Sequence, residues 1–238
     1  EASGGWAGTG TGNDISWSTT SIIKVHWNKS FDPSGAETDG GSGILRYWYA
    51  VGTTPGGTDI IEWTDAGISY STAVSLGLSL SDGVTYYSSV RSENGAGLYS
   101  RVRLSPREGE SDGFRIDTQV PVPTQPYPDA NAEYVSTTSV KFVWQQVNDI
   151  PSGTSGYYII ISTGLQDFNS SRIVNDEFVT TTTYILLSCQ TGIRYYARLK
   201  VKDIAGNISN YDGTSTGVLV DTTAPVGTIT VYDGVTFG

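Results

Sequence analysis

Chemistry at a protein surface starts from a few residue types, and this chain of 238 residues holds one histidine, one cysteine and no methionine. His26 stands between Val25 and Trp27, in a run whose alternation turns Trp27 inward and His26 outward. A hydrolytic triad needs a nucleophile, a base and a group that orients the base. An outward His26 leaves that arrangement without its base. Cys189 has no second thiol to pair with, which excludes an internal disulfide framework and a Cys-based zinc site.

Carboxylates are the larger resource. Asp32, Glu37 and Asp39 share one Gly-rich loop, DPSGAETDGGSG. Their hard oxygens suit calcium, which makes them the candidate ligands of a calcium site, although EF-hand spacing is absent. Asp59, Glu62 and Asp65 form a looser group around Trp63. Solvated turns are the competing reading of both groups. Glycoside cleavage needs two carboxyls held across a substrate cleft, and turns of a small domain offer little room for one. No catalytic residue and no other cofactor is expected.

A face with mixed aromatic and cationic character is the other chemical feature. Alternation directs Arg46, Trp48, Tyr87 and Arg91 outward from one sheet, and the same reasoning sets Ile159 and Ile161 beside Tyr196, Arg198 and Lys200. Such a face stacks a sugar ring or seats a partner protein; cross-strand packing that shields the sheet is the alternative. Asn-x-Ser sequons occur at Asn28, Asn169 and Asn207, and they matter only where secreted proteins are glycosylated.

The elements that must carry these residues are strands. Aromatic and β-branched residues alternate with polar ones between turn clusters such as TTPGGT, NGAG and DIAGN. The pattern occurs twice. STTSIIKVHW (from Ser18) returns as STTSVKFVW (from Ser136), and SGILRYWYAVG (from Ser42) as SGYYIIISTG (from Ser155). GVTYYSSVRSENGAGLYS (from Gly83) aligns without gaps to GIRYYARLKVKDIAGNIS (from Gly192), and SDGFRIDTQVP (from Ser111) matches STGVLVDTTAP (from Ser215). Four blocks in one order define two repeats, at 1–120 and 121–222. The PVPTQPYP segment after Asp117 predicts a stiff linker or an edge first strand, and residues 223–238 look like a linker or the opening strand of a further repeat.

These residues resemble fibronectin type III domains, particularly those strung in tandem in large bacterial surface and secreted proteins. In that family a Trp sits on the second strand, as Trp27 and Trp144 do here. A Tyr enters the sixth strand in a pattern matched by Leu80, Tyr86 and Val90 and again by Cys189, Tyr195 and Leu199. The resemblance implies an all-β fold of two tandem fibronectin type III-like antiparallel β-sandwiches, plus the first strand of a third. It gives Cys189 the place of Leu80, that of a small core hydrophobe.

Charge and composition narrow the function. A net charge of −10 repels phosphate, which disfavours nucleic acid, and the sequence contains no apolar run long enough to span a bilayer as a helix. The expectation is a non-catalytic structural or adhesive module: a spacer or stalk of an extracellular or cell-surface protein. Its partners would be other repeats of the same longer chain, neighbouring subunits, a polysaccharide or a surface protein. Two alternatives stand beside it: a carbohydrate-binding accessory module of a secreted hydrolase, and a self-assembling filament or surface-layer subunit that uses the C-terminal strand.

Overall fold

The computed structural model describes residues 16–32, 41–74, 80–102, 112–166, 168–211, 213–229 and 234. Two compact units divide the chain: Glu1–Val122 with Val147–Gly156 and Val201–Asn210, and Pro123–Gln146 with Tyr157–Lys200 and Tyr211–Gly238. The segments 147–156 and 201–210, which belong to the second repeat by sequence and include the start of one strand and the end of another, are thus grouped with the first unit.

The first repeat contains β1 (Trp17–Ser18), β2 (Ile23–His26), β3 (Ile44–Gly52), β4 (Ile61–Gly67), β5 (Ser71–Val74), β6 (Thr85–Asn94) and β7 (Phe114–Ile116). Its larger sheet has the order β1-β7-β6-β3-β4, and β2 pairs with β5 in the other. The second repeat contains β8 (Tyr127–Pro128), β9 (Tyr134–Val135), β10 (Val140–Val143), β11 (Thr154–Ser162), β12 (Arg172–Val179), β13 (Thr183–Leu186), β14 (Arg194–Asp203) and β15 (Val218–Val220). Its sheets run β12-β11-β14-β15-β9 and β13-β10-β8. The proline-rich segment supplies β8, on the edge of its sheet, where a missing N–H does least harm.

The pairing departs from the antiparallel expectation at one place in each repeat. β1 lies parallel to β7, with Trp17 opposite Arg115, and β9 lies parallel to β15, with Tyr134 opposite Leu219. The same two backbone bonds close both pairs. In the first, Arg115 N donates to Ser16 O and Asp117 N to Ser18 O, each at 2.9 Å; in the second, Leu219 N donates to Glu133 O and Asp221 N to Val135 O, each at 2.9 Å.

The core follows from alternation. Along β14 every second residue, Tyr195, Ala197, Leu199 and Val201, is buried, and Arg198, Lys200 and Lys202 fall on the other face. Trp27 packs on Tyr47 with ring centroids 5.8 Å apart, and Trp144 on Tyr157 at 5.5 Å. Val25, Val51, Tyr86, Phe114 and Ile116 complete the buried members of the first core cluster, and each Val, Ile or Phe side chain among them contributes about 1.5–3 kcal/mol by leaving water. The two entering tyrosines bury their rings and use their hydroxyls alike: Tyr86 Oη accepts from Ser81 N and Tyr195 Oη from Gln190 N, both at 2.8 Å. Cys189 is buried as the small core residue that its alignment with Leu80 implies, and burial pushes its thiol pKa up.

Candidate functional site

Three of the four predicted face residues come together on the outer surface of the β4-β3-β6 layer. β3 and β6 set Trp48 opposite Arg91 and Arg46 opposite Glu93. Arg91 is sandwiched: its guanidinium carbon lies 4.3 Å from the centroid of Trp63 and 4.1 Å from that of Tyr99, with Trp48 farther off at 6.0 Å. Trp48 meets Tyr99 edge-on at 6.4 Å. Its indole Nε1 donates to Glu93 Oε2 at 2.7 Å, and Arg46 Nη1 donates to Asp65 Oδ2 at 2.7 Å. The cation is therefore stacked between rings of its own chain, and the polar edge of Trp48 is already bonded. The face is closed by its own side chains, as the cross-strand reading expects.

Tyr87 does not join this group. It pairs with Gly52 at the far end of β6, four residues from Arg91 and thus roughly 13 Å along the strand. Its ring lies over Gly113, where an added Cβ would come within 2.7 Å of Tyr87 Cε1, and Gly217 has the same relation to Tyr196 at 2.5 Å. Trp48 and Tyr87 consequently form no common stacking platform.

The outer face of the second repeat requires a correction. Ile159 and Ile161 are buried at 0 % exposure and do not lie beside Arg198 and Lys200. Tyr157, which packs on Trp144, fixes the inward parity of β11, and Ile159 and Ile161 share it. Tyr158 takes the outward row and packs on Phe178 at 5.0 Å. Arg198 covers Phe168 at 4.1 Å, and Lys200 covers Tyr211 at 4.3 Å while reaching Asp176 at 3.5 Å. Burial, with the Asp176 bond second, pushes the Tyr211 phenol up.

The acidic groups resolve differently. Of the candidate calcium ligands, Asp32 is described, and Glu37 and Asp39 lie outside the described residues; Asp32 accepts from Ser42 Oγ at 3.2 Å and lies 3.4 Å from Asn94 Nδ2. Asp59 accepts from Thr53 Oγ1 and Thr53 N, which lower its pKa. Asp65 is held low by Gly67 N and then by Arg46. Each of these two serves its own turn or strand. His26 is half-buried, on the face of β2 opposite the buried Val25.

The structure also gathers three carboxylates that the sequence reading did not connect. Asp117, Asp149 and Asp203 all lie in the first compact unit and place one oxygen each within 4.8 Å of the others. Two signals for them stood in the alignment: Asp117 opens the repeated DT pair, and Asp203 replaces Asn94. The Asn207 sequon is bound up with them, because its Nδ2 donates to Asp117 O at 2.8 Å and Asp203 Oδ2 at 2.7 Å.

No protein-family model matches the chain, and no curated protein does. Several solved structures align with it. The FN1–FN3 domains of chicken CNTN1 share 14 % identity over 91 % of this chain and 63 % of that one, with a TM-score of 0.48. Domains A168–A170 of titin share 13 % over 75 % and 56 %, at 0.47. The fibronectin(III)-like modules of Clostridium thermocellum CbhA share 13 % over 75 % and 78 %, at 0.41. This chain spans 17 % of the twitchin kinase region from C. elegans, which it also matches. The fold assignment rests on the strand order and the repeated core pattern of the chain itself, and by these it is a fibronectin type III-like sandwich carried twice in tandem.

Proposed function

We propose that the chain is a non-catalytic, load-carrying spacer of an extracellular or cell-surface protein, with further repeats or neighbouring subunits as its partners. The parallel pairing of an early strand with the last strand in each repeat, β1 with β7 and β9 with β15, carries this reading. Parallel β1 and β7 put the entry and exit of the first repeat at opposite ends of the pair, and β9 and β15 run the same way in the second, where β8 precedes β9. Tension between entry and exit then slides one strand along the other. The two clamp bonds, Arg115 N to Ser16 O and Asp117 N to Ser18 O, share that load and do not break one after the other. A self-closed aromatic face around Arg91 suits a module whose role is mechanical.

Single-molecule pulling from the two chain ends tests this. Arg115→Pro deletes one clamp donor of the first repeat and Leu219→Pro one of the second. Each is expected to lower the unfolding force of its own repeat and leave the other unchanged. Unfolding forces equal to the parent's in both variants would defeat the proposal. Labelling of intact source cells with an antibody to the chain checks the surface location.

A further inference from the structure

Asp117 and Asp203 are both 0 % exposed, and each places a carboxylate oxygen within 4.8 Å of one from the other and one from Asp149. Buried carboxylates are costly unless a positive charge or sufficient donors compensate them. Asp117 accepts from Gln119 N and Ser152 N, each at 3.0 Å. Asp203 accepts from the Gly206 and Asn207 amides and from Asn207 Nδ2. Asp149 is partly exposed as a residue, and its carboxyl group bonds with Ser152 and meets Asp117, yet its Oδ2 is sealed from solvent and has no geometric hydrogen-bond partner.

The first repeat shows how the same position is neutralised when the residue is an amide. Asn94 Oδ1 accepts from Ala96 N and Leu98 N at 3.1 and 2.9 Å, much as Asp203 Oδ1 does, and Asn94 Nδ2 is turned toward Asp32. In the second repeat a carboxylate replaces that amide and is set toward Asp149. The substitution removes a donor where one more anion is added.

We propose that Asp117, Asp149 and Asp203 together bind a calcium ion, distinct from the Asp32 loop. Calcium lies about 2.3–2.6 Å from each oxygen ligand, so two of its ligands stand no more than about 5 Å apart; the three carboxylates meet that limit at 4.8 Å. An all-oxygen, triply acidic set favours a hard divalent cation over softer metals. The ion supplies the charge that Asn94 makes unnecessary in the first repeat, and gives the sealed Asp149 Oδ2 its missing partner.

The test is titration of the full chain with calcium chloride after chelator treatment, read by calorimetry and by the melting temperature. One saturable site is expected, with melting that rises with calcium. Asp203→Asn restores the Asn94 chemistry and retains an oxygen for the turn, so it should weaken calcium affinity at least tenfold and melt no lower than the parent in chelator. Asp149→Asn is the second variant, and it removes one of the three charges while keeping an oxygen; it too should lose the response. Absence of calcium heat and of any melting shift in the parent up to about 10 mM, a range that covers weak extracellular sites, overturns the proposal. So does an unchanged calcium response in both variants, or a response lost only in Glu37→Gln/Asp39→Asn. If the three groups share protons in place of an ion, acidification stabilises the chain and calcium does nothing, which also refutes it.

Discussion

Replacing Arg91 by alanine separates a face closed on itself from a face awaiting a ligand. The guanidinium lies 4.1 Å from Tyr99 and 4.3 Å from Trp63, and each close cation–π contact is worth about 0.5–1 kcal/mol at a partly exposed site. Removing the side chain also uncovers the apolar flanks of three rings. Against this, Arg91 Nε is buried without a partner, a cost of about 1 kcal/mol that the alanine variant escapes. The balance is a loss of about 1–2 kcal/mol, since uncovering ring surface adds roughly 25 cal/mol per Å². Arg91→Lys keeps the charge but not the planar stack, and should lose about half as much. Urea unfolding followed by tryptophan fluorescence measures this, because Trp48 and Trp63 report on the same cluster. A stability within about 0.3 kcal/mol of the parent, small against the usual cost of a lost contact, would refute the reasoning. If the same alanine variant also abolished binding to a polysaccharide, the face would be a ligand platform after all.

Removing either corner hydroxyl, in Tyr86→Phe or Tyr195→Phe, leaves the amide of Ser81 or Gln190 without its acceptor and should cost about 1–3 kcal/mol in denaturant unfolding. Gly217→Ala places a Cβ 2.5 Å from Tyr196 Cε1 at a φ of +75°, so it should lower the melting temperature and shift the Tyr196 ring resonances, with Gly113→Ala doing the same to Tyr87. The pH response has two opposite parts. Asp59, Asp65 and Asp82 have lowered folded pKa values, so their contribution is present above the unfolded carboxylate range near pH 4 and is lost as the pH falls below it. Asp149 has a raised one, so in calcium-free buffer the fold binds its proton first and gains stability as the pH falls through that value. A melting curve taken every half pH unit in chelator should therefore rise on mild acidification before it drops, and Asp149→Asn should flatten the rise.

Local alternation made much of this fold legible. Trp27, Trp144, Tyr86 and Tyr195 could be placed because each sits in a short run where inner and outer rows differ in polarity, and two copies reinforced one another. Parity failed at Ile159 and Ile161, where YYIII offers apolar residues on both rows and only the packing of Tyr157 on Trp144 decides between them. The face around Arg91 was half legible: β3 and β6 named Trp48 and Arg91. Trp63 from β4 and Tyr99 from the turn after β6 enter through tertiary packing, which alternation within one strand does not encode. The carboxylate triad was hidden for the same reason, since Asp117 and Asp149 come from two separate connections and Asp203 from the end of β14.

The parallel clamp also dictates an order of assembly. Trp17 has to wait for Arg115, and Tyr134 for Leu219, before either pair can form. Contacts this distant in sequence are made late, after the loops between them have closed. On the ribosome the early strand of each such pair emerges long before its late partner and must remain unpaired in the interval. Its shortness, two residues in β1 and two in β9, limits what a nascent neighbour could seize during that wait. A chain built from many such repeats would thereby complete one before the next had a strand to offer it.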